Sequence, residues 1–341
     1  MNPRLERNLR LLGWIVVAGV IAGVAFSIAQ GRTAPLGIMV GIAYGLVMSL
    51  ALGSIELFVL EGPMRLWLGG LPFTANLMVR STIYGAVIAV IQWSYFAERI
   101  AGLSLKISSQ NFWSGFFYSL AISVVVNLAL ALSNIIGPRP LLNFVTGRYH
   151  SPVEESRFVL FVDIAGSTGL AERLGGIAIH RFLDRTFRLL TLAVVDYRGE
   201  VLDYVGDEMI VTWQERGGTV DCRPLHCFLA MRDELSRASS QFEREFGAAP
   251  RIRGSLHFGP VIVGEIGDVK RAIVFNGDVM NTAARLEELS RDVDGGFLAS
   301  RAAMERFNSM PPFAVRELGR LPIRGRADGI DVVGIAAPTA A

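Results

Sequence analysis

Four apolar runs, at residues 11–29, 35–60, 77–97 and 112–136, crowd the first 137 residues of this 341-residue chain. Each can cross a hydrocarbon core of about 30 Å, which takes about 20 helical residues. Backbone polar groups inside lipid must be satisfied within the segment, so such runs fold as helices. The expectation is an α-helical membrane bundle of four spans over residues 1–137, in contact with a lipid bilayer. Arg4, Arg7 and Arg10 precede the first span, Arg65 lies between the second and third, and Arg139 and Arg148 follow the fourth. The opposite loops hold Arg32, Arg99 and Lys106. Positive residues stay inside, so the chain is expected to be multi-pass in the cell (inner) membrane, with the soluble half and both termini cytoplasmic. Ser27-Ile28-Ala29 resembles a cleavage site, but the apolar run before it is long for a signal core, and no cleavage is expected.

The second span carries Gly37, Gly41, Gly45, Ser49 and Gly53, a small residue at every fourth position. Such a face admits another backbone closely, with Gly19 and Gly23 of the first span as a possible partner. It reads either as a dimer seam or as packing within one bundle. Glu56, Arg80, Gln92 and Asn127 are polar residues in or near the spans, and Glu56 and Arg80 are read as interfacial or as an ion pair in preference to a ligand or ion site. Residues 61–73 read as an interfacial segment anchored by Trp67.

The chain is 51% hydrophobic with a mean hydropathy of +0.41, yet most charges lie after Arg139. It therefore splits into a membrane half and a soluble half. A net charge of +2 without a basic stripe interleaved with aromatics gives no case for nucleic acid. Cys222 and Cys227 are too few and too close for a disulfide framework or zinc site, and read as reduced thiols. Gly137-Pro138-Arg139-Pro140 ends the last span, because proline cannot continue a helix. Residues 138–156 are then a linker without heptads, 157–336 a second domain, and 337–341 a tail.

In that domain strand and helix patterns alternate: a strand at 157–162, helices at 168–174 and 177–197, and a hairpin of 200–205 with 209–213. A long helix at 223–246 follows, then strands at 251–258 and 261–266 read as a hairpin about Gly259-Pro260, and a helix opening near Asn281. This order is that of an α+β, ferredoxin-like βαββαβ core.

Three stretches carry chemistry. Phe158 to Thr168, FVLFVDIAGST, delivers Asp163 from a strand into a turn of small residues and a helix start. Asp203 to Trp213, DYVGDEMIVTW, sets Asp207 on a tight turn, so two carboxylates can converge. They would repel unless they held a cation, and hard oxygen ligands suit Mg²⁺ or Mn²⁺ carrying a phosphate ester. In Gly277 to Arg285, GDVMNTAAR, Asn281 and Arg285 are four apart and share a helix face.

FVDIAGST, YVGDE and NTAAR, in that order, closely resemble the catalytic domain of class III nucleotidyl cyclases, the adenylate and guanylate cyclase family. The resemblance covers roughly residues 157–336. It implies a lyase that attacks the α-phosphorus of a nucleoside triphosphate with the ribose 3′-hydroxyl, releasing pyrophosphate. It further implies two Mg²⁺ or Mn²⁺ ions per site held by Asp163, Asp207 and the Ile164 carbonyl, and triphosphate contacts from backbone N–H groups of Ala165, Gly166, Ser167 and Thr168. Asn281 would orient the ribose, Arg285 would stabilise charge on the α-phosphate, and Arg326, or failing it Arg324, would grip the terminal phosphates. The family builds such sites across a homodimer. At the base-reading positions, where adenylate cyclases typically carry Lys and Asp, Thr or Ser, this chain has Asp203 and Val274, and its lysines are Lys106 and Lys270. ATP is the expected substrate, giving 3′,5′-cyclic AMP. The alternatives are a guanylate or relaxed-specificity cyclase, a diguanylate cyclase suggested by the GDE turn, or a degenerate nucleotide-binding module.

Overall fold

The computed structural model describes residues 3–64, 67–68, 70–97, 109–136, 147–269, 271–291, 293, 296–308, 313–323 and 329–336. The chain divides into two compact units, Met1–Ile136 and Gly137–Ala341. The prolines at 138 and 140, Arg324, Arg326 and the tail 337–341 lie outside the described residues.

The first unit contains helices α1 (Pro3–Ala29), α2 (Pro35–Ile55), α3 (Phe73–Ala97) and α4 (Ser109–Ile136). Within them Asn8–Ala29, Pro35–Leu60, Phe73–Trp93 and Phe112–Ala129 are long and apolar enough to cross a membrane. The small-residue face of α2 is filled by α1 of the same chain. A Cβ on Gly45 would strike the Gly19 carbonyl, and one on Gly23 the Gly41 carbonyl. Of the two readings of this face, packing within one bundle is the one observed.

α2 ends in a wider π turn, Glu56–Leu60, closed by the Glu61 N–H donating to the Glu56 carbonyl at 2.8 Å. Glu56 and Arg80 form the expected ion pair. Arg80 also donates to Glu61 at 2.8 Å and to Asn76 at 2.7 Å, and the Tyr84 hydroxyl donates to Glu56. A buried carboxylate is tolerable because its oxygens are occupied in this way. Trp67 is exposed, in keeping with an anchoring role.

The second unit is built on an eight-stranded sheet: β1 (Val153–Ile164), β2 (Glu200–Val205), β3 (Glu208–Gln214), β4 (Ile252–Ile266), β5 (Ala272–Asn276), β6 (Phe297–Ser300), β7 (Ala314–Leu321) and β8 (Ile330–Ala336). The strand order is β2-β3-β1-β4-β6-β8-β7, with β5 added to β4. Helices α5 (Ser167–Leu174), α6 (Gly176–Asp196), α7 (Arg223–Phe246) and α8 (Asp278–Ser290) complete it. β1, β3, β2 and β4 with α6 and α7 give the expected ferredoxin-like βαββαβ core.

Strand alternation sorts β1 by face. Phe158, Leu160, Val162 and Ile164 enter the main core with Phe182 and Leu190 of α6 and Leu225, Phe228 and Phe242 of α7. Val159 and Phe161 face the other way, into a smaller cluster with Val279 and Ala283 of α8. Asp163 follows that second alternation, so the sheet presents it on the α8 face.

Two expectations are corrected. β1 starts at Val153, inside the expected linker, because Val153 to Ser156 pair with Val263 to Pro260. The hairpin expected at Gly259-Pro260 is absent: β4 is one continuous strand from Ile252 to Ile266. On the edge away from β1, β4 pairs with β6 up to Leu256 and with β5 from Ile262. The Pro260 carbonyl points toward Gly277, so its missing N–H falls in the gap between those partners, where no ladder bond is lost.

Candidate active site

The β2–β3 hairpin closes with Val205 opposite Glu208, leaving Gly206 and Asp207 as a two-residue turn. Gly206 sits at φ +63°, a left-handed conformation that glycine adopts without the steric cost of a Cβ. This turn reaches the end of β1. The Ile164 N–H donates to the Asp207 carbonyl at 3.2 Å, and the Ser167 hydroxyl donates to the Asp207 carboxylate. Asp163 pairs across the sheet with Glu208 on one side and Arg253 on the other. The two aspartates expected to converge do so, together with Ile164 and Ser167.

Asp163 is 4% exposed. Burial pushes its carboxyl above the usual range, against the pull of the Arg253 guanidinium, and the neighbouring Asp207 charge adds to the rise. Arg253 donates to Asp163 at 2.5 Å and to Glu287 of α8 at 3.2 Å. Glu208 is pushed up to about 7, first by burial and then by repulsion from Glu287, Asp163 and Asp207. Burial also raises Glu287, with Asp163 next. Four carboxylates thus act on one another beside two guanidinium groups, Arg253 and Arg291, an excess of negative charge that favours a cation.

Among the described residues no group of three or more His, Cys, Asp or Glu side chains stands at metal-binding geometry. The donors present are two carboxylates, a main-chain carbonyl and a hydroxyl, all hard oxygens. They fit a divalent ion such as Mg²⁺, which keeps waters or substrate phosphates for its remaining positions.

The small-residue turn behaves in part as expected. α5 begins at Ser167 after Gly166, with no side chain capping it, so its first N–H groups are open to an anion. Ala165 is a correction: its N–H is spent on the Arg251 carbonyl at 2.8 Å and is not available to a phosphate.

α8 packs on the sheet through Val279, Thr282, Ala283, Leu286, Glu287 and Ser290. Asn281 is exposed and Arg285 half-buried, both on turns of the helix directed away from that packed face. The structure therefore does not bring them to Asp163 and Asp207 within one chain. Asp203 is exposed, opposite Ile210, and Ile210 packs in the α8-side cluster, so Asp203 shares the face of Asp163. Val274 alternates with Ile273 and Phe275, which pack in that cluster, and so faces the other way. β3, β1 and β4 lie between the two strands.

Arg253, Glu208 and Glu287 were missed by sequence reasoning. A signal existed for Glu287, four residues after Ala283 on the buried stripe of α8. Two of the histidines are structural: His257 hydrogen-bonds Ser300 at 2.7 Å, and His226 packs between Tyr197 and Phe313. Cys222 and Cys227 are buried thiols joined by no disulfide.

Residues 150–333 match the family described as the adenylate and guanylate cyclase catalytic domain. "Adenylate cyclase 2" of Rhizobium meliloti is 30% identical over 332 residues, covering 95% of this chain and 89% of that protein. The chain belongs to the adenylate and guanylate cyclase family. It is a nucleotidyl cyclase, an enzyme of the lyase class, and the match to the Rhizobium protein extends across the membrane half. An adenylate cyclase of Anabaena cylindrica is 24% identical over 60% of the cyclase and 41% of its own length. Among solved structures, a bacterial light-regulated adenylyl cyclase superposes with a TM-score of 0.55 at 20% identity, covering 63% of the cyclase and 62% of that chain. The adenylyl cyclase CyaB from P. aeruginosa gives 0.50 at 21% identity, covering 55% and 97%. At these identities the likeness shows a shared fold.

Proposed function

We propose that this protein is a membrane-anchored adenylate cyclase that converts ATP to 3′,5′-cyclic AMP and pyrophosphate at two sites shared across a homodimer. The observation that carries the shared site is the placement of Asn281 and Arg285 on the side of α8 away from the sheet that bears Asp163 and Asp207. A single catalytic unit then holds two half-sites, and an isologous pair makes two whole ones. The relatives named adenylate cyclases support ATP over GTP.

In this reading Asp163, Asp207 and the Ile164 carbonyl hold Mg²⁺ or Mn²⁺. Bound there, divalent ions neutralise the triphosphate and lower the pKa of the ribose 3′-hydroxyl. The open N–H groups of Gly166, Ser167 and Thr168 receive phosphate oxygens at the start of α5. Arg253, bonded to Asp163 at 2.5 Å and to Glu287 at 3.2 Å, would orient the Asp163 carboxylate and balance part of its charge. Asn281 of the second protomer orients the ribose, and its Arg285 stabilises charge developing on the α-phosphate, where a planar permanent cation binds well. The membrane unit places the enzyme in the cell membrane with its catalytic unit in the cytoplasm, where ATP is found.

The test is complementation. Asp207→Ala and Arg285→Ala are each expected to be inactive alone and active when co-expressed. A mixed dimer has one site with both defects and one with neither. At random pairing half the dimers carry one good site, so activity returns to about a quarter of wild type. Inactivity of co-purifying variants would place Asp207 and Arg285 in the same chain's site and overturn the shared-site reading.

A further inference from the structure

The membrane unit holds a half-open cavity of about 190 Å³ between α1, α2, α3 and α4. Its wall is mostly glycine, alanine and aliphatic surface, with Tyr44, Tyr84, Tyr118, Ser119, Ser123 and Asn127 contributing polar groups. Lining residues span Tyr118 to Asn127 on α4 and Tyr44 to Glu56 on α2, which at 1.5 Å per residue is roughly 13–18 Å along the helices. The space is therefore long and narrow. An apolar cavity of about 150 Å³ already takes a benzene-sized guest.

Most polar groups on this wall are satisfied. Tyr118 donates to the Ala22 carbonyl at 3.0 Å, Ser123 to the Ser119 carbonyl at 2.7 Å, and Tyr44 shares a bond with Ser119 at 3.3 Å. Tyr84 is bonded to Glu56, which Arg80 also holds. Asn127 differs. It is 3% exposed, and its amide nitrogen is buried with no hydrogen-bond partner among the described residues. An orphaned amide donor at membrane depth is costly, because lipid cannot replace the missing acceptor.

We infer that the cavity is a binding site for a single aliphatic chain carrying a carbonyl-type oxygen, which accepts a hydrogen bond from the Asn127 amide. Length and narrowness select a chain over a compact ring, the apolar wall takes its methylenes, and Asn127 takes its oxygen. The chain comes either from a free amphiphile or from the acyl ester of a bilayer phospholipid. This site is independent of the nucleotide chemistry of the second unit.

Nonan-2-one and its shape analogue 2-methyl-1-nonene separate the oxygen from the chain. Equilibrium dialysis against the full-length protein in phosphatidylcholine nanodiscs, with empty nanodiscs subtracted, should show one saturable site per chain for the ketone. The alkene should bind at least fivefold more weakly. Asn127→Leu should weaken the ketone at least tenfold and remove the difference between the two. If that variant does not fold, Ser123→Leu fills the cavity from the same helix and should also cost at least tenfold. Native mass spectrometry of the detergent-purified protein supplies the other arm: a phospholipid retained by wild type and lost from Asn127→Leu assigns the chain to the bilayer and supports the site. Equal affinity for ketone and alkene, unchanged ketone binding in Asn127→Leu, or neither saturable ketone nor retained lipid overturns it.

Discussion

Replacing Arg157 with methionine removes the cation that holds the start of the strand delivering Asp163. Arg157 is 2% exposed. Its guanidinium donates to Glu155 at 2.9 Å, to Glu200 at 3.2 Å and to the Tyr149 hydroxyl at 3.3 Å, and it lies 5.0 Å from the centre of the Phe275 ring. Methionine keeps the length and takes the Arg157 cation from buried Glu200 and half-buried Glu155. Breaking a buried pair from one side costs about 3–5 kcal/mol. Arg148, 3.2 Å from Glu155 but 56% exposed, offsets only a fraction of that, since exposed pairs contribute about 0–1 kcal/mol. The expected loss is about 3 kcal/mol, which at about 2–4 °C per kcal/mol lowers the Tm of a unit this size by roughly 6–12 °C. The pH dependence has a definite sign. Burial alone would raise Glu155, but Arg157 outweighs it and holds the carboxyl below its ordinary range. Its contribution is therefore present above the ordinary carboxylate pKa and lost as pH falls through the depressed value. Without Arg157 burial raises that carboxyl, so the deficit grows as pH rises through the carboxylate range. Scanning calorimetry of the full chain at pH 7.5 and 4.5 should show the larger gap at pH 7.5, narrowed by adding Glu155→Gln. A gap under about 1 kcal/mol at pH 7.5, or the same gap at both pH values, refutes the argument.

Asp163→Ala and Asp207→Ala should each abolish turnover while leaving the circular dichroism spectrum unchanged, and EDTA should do the same reversibly with Mn²⁺; turnover within tenfold of wild type in either variant contradicts the metal assignment. Asp203→Lys supplies a donor on the exposed face shared with Asp163 and should move the ATP/GTP ratio of kcat/KM toward ATP by about tenfold, the scale of one polar contact; an unchanged ratio means residue 203 does not face the base. Gly45→Leu drives a side chain into the Gly19 backbone and should prevent recovery of monodisperse protein in detergent, whereas Gly13→Leu, with nothing within 4 Å of its Cβ, should behave as wild type.

What could be read in advance was carried by local chemistry. The spans follow from length and hydropathy, α7 from its apolar spacing, and Asp163 and Asp207 from turns whose small residues announce them. The misreadings share one cause, which is that pairing partners are not visible along a chain. Gly259-Pro260 has the composition of a turn, and only the gap between β6 and β5 makes it tolerable within a strand. Glu154, Glu155 and Ser156 look like linker until β4 pairs with them and Arg157 gathers the charge. Asp163 and Arg253 are 90 residues apart, and nothing local to either names the other. The same reasoning bears on the site itself. The residues legible as motifs, Asp163, Asp207, Asn281 and Arg285, touch ligand in the proposed mechanism. Those that were not are Arg253 and Glu287, which bond to each other, and Glu208, which feels their neighbourhood through charge; together they set the field in which a cation would bind. A sequence motif thus marks where a substrate goes more readily than it marks the groups that tune the site's charge, because those groups act through neighbours that only the fold supplies.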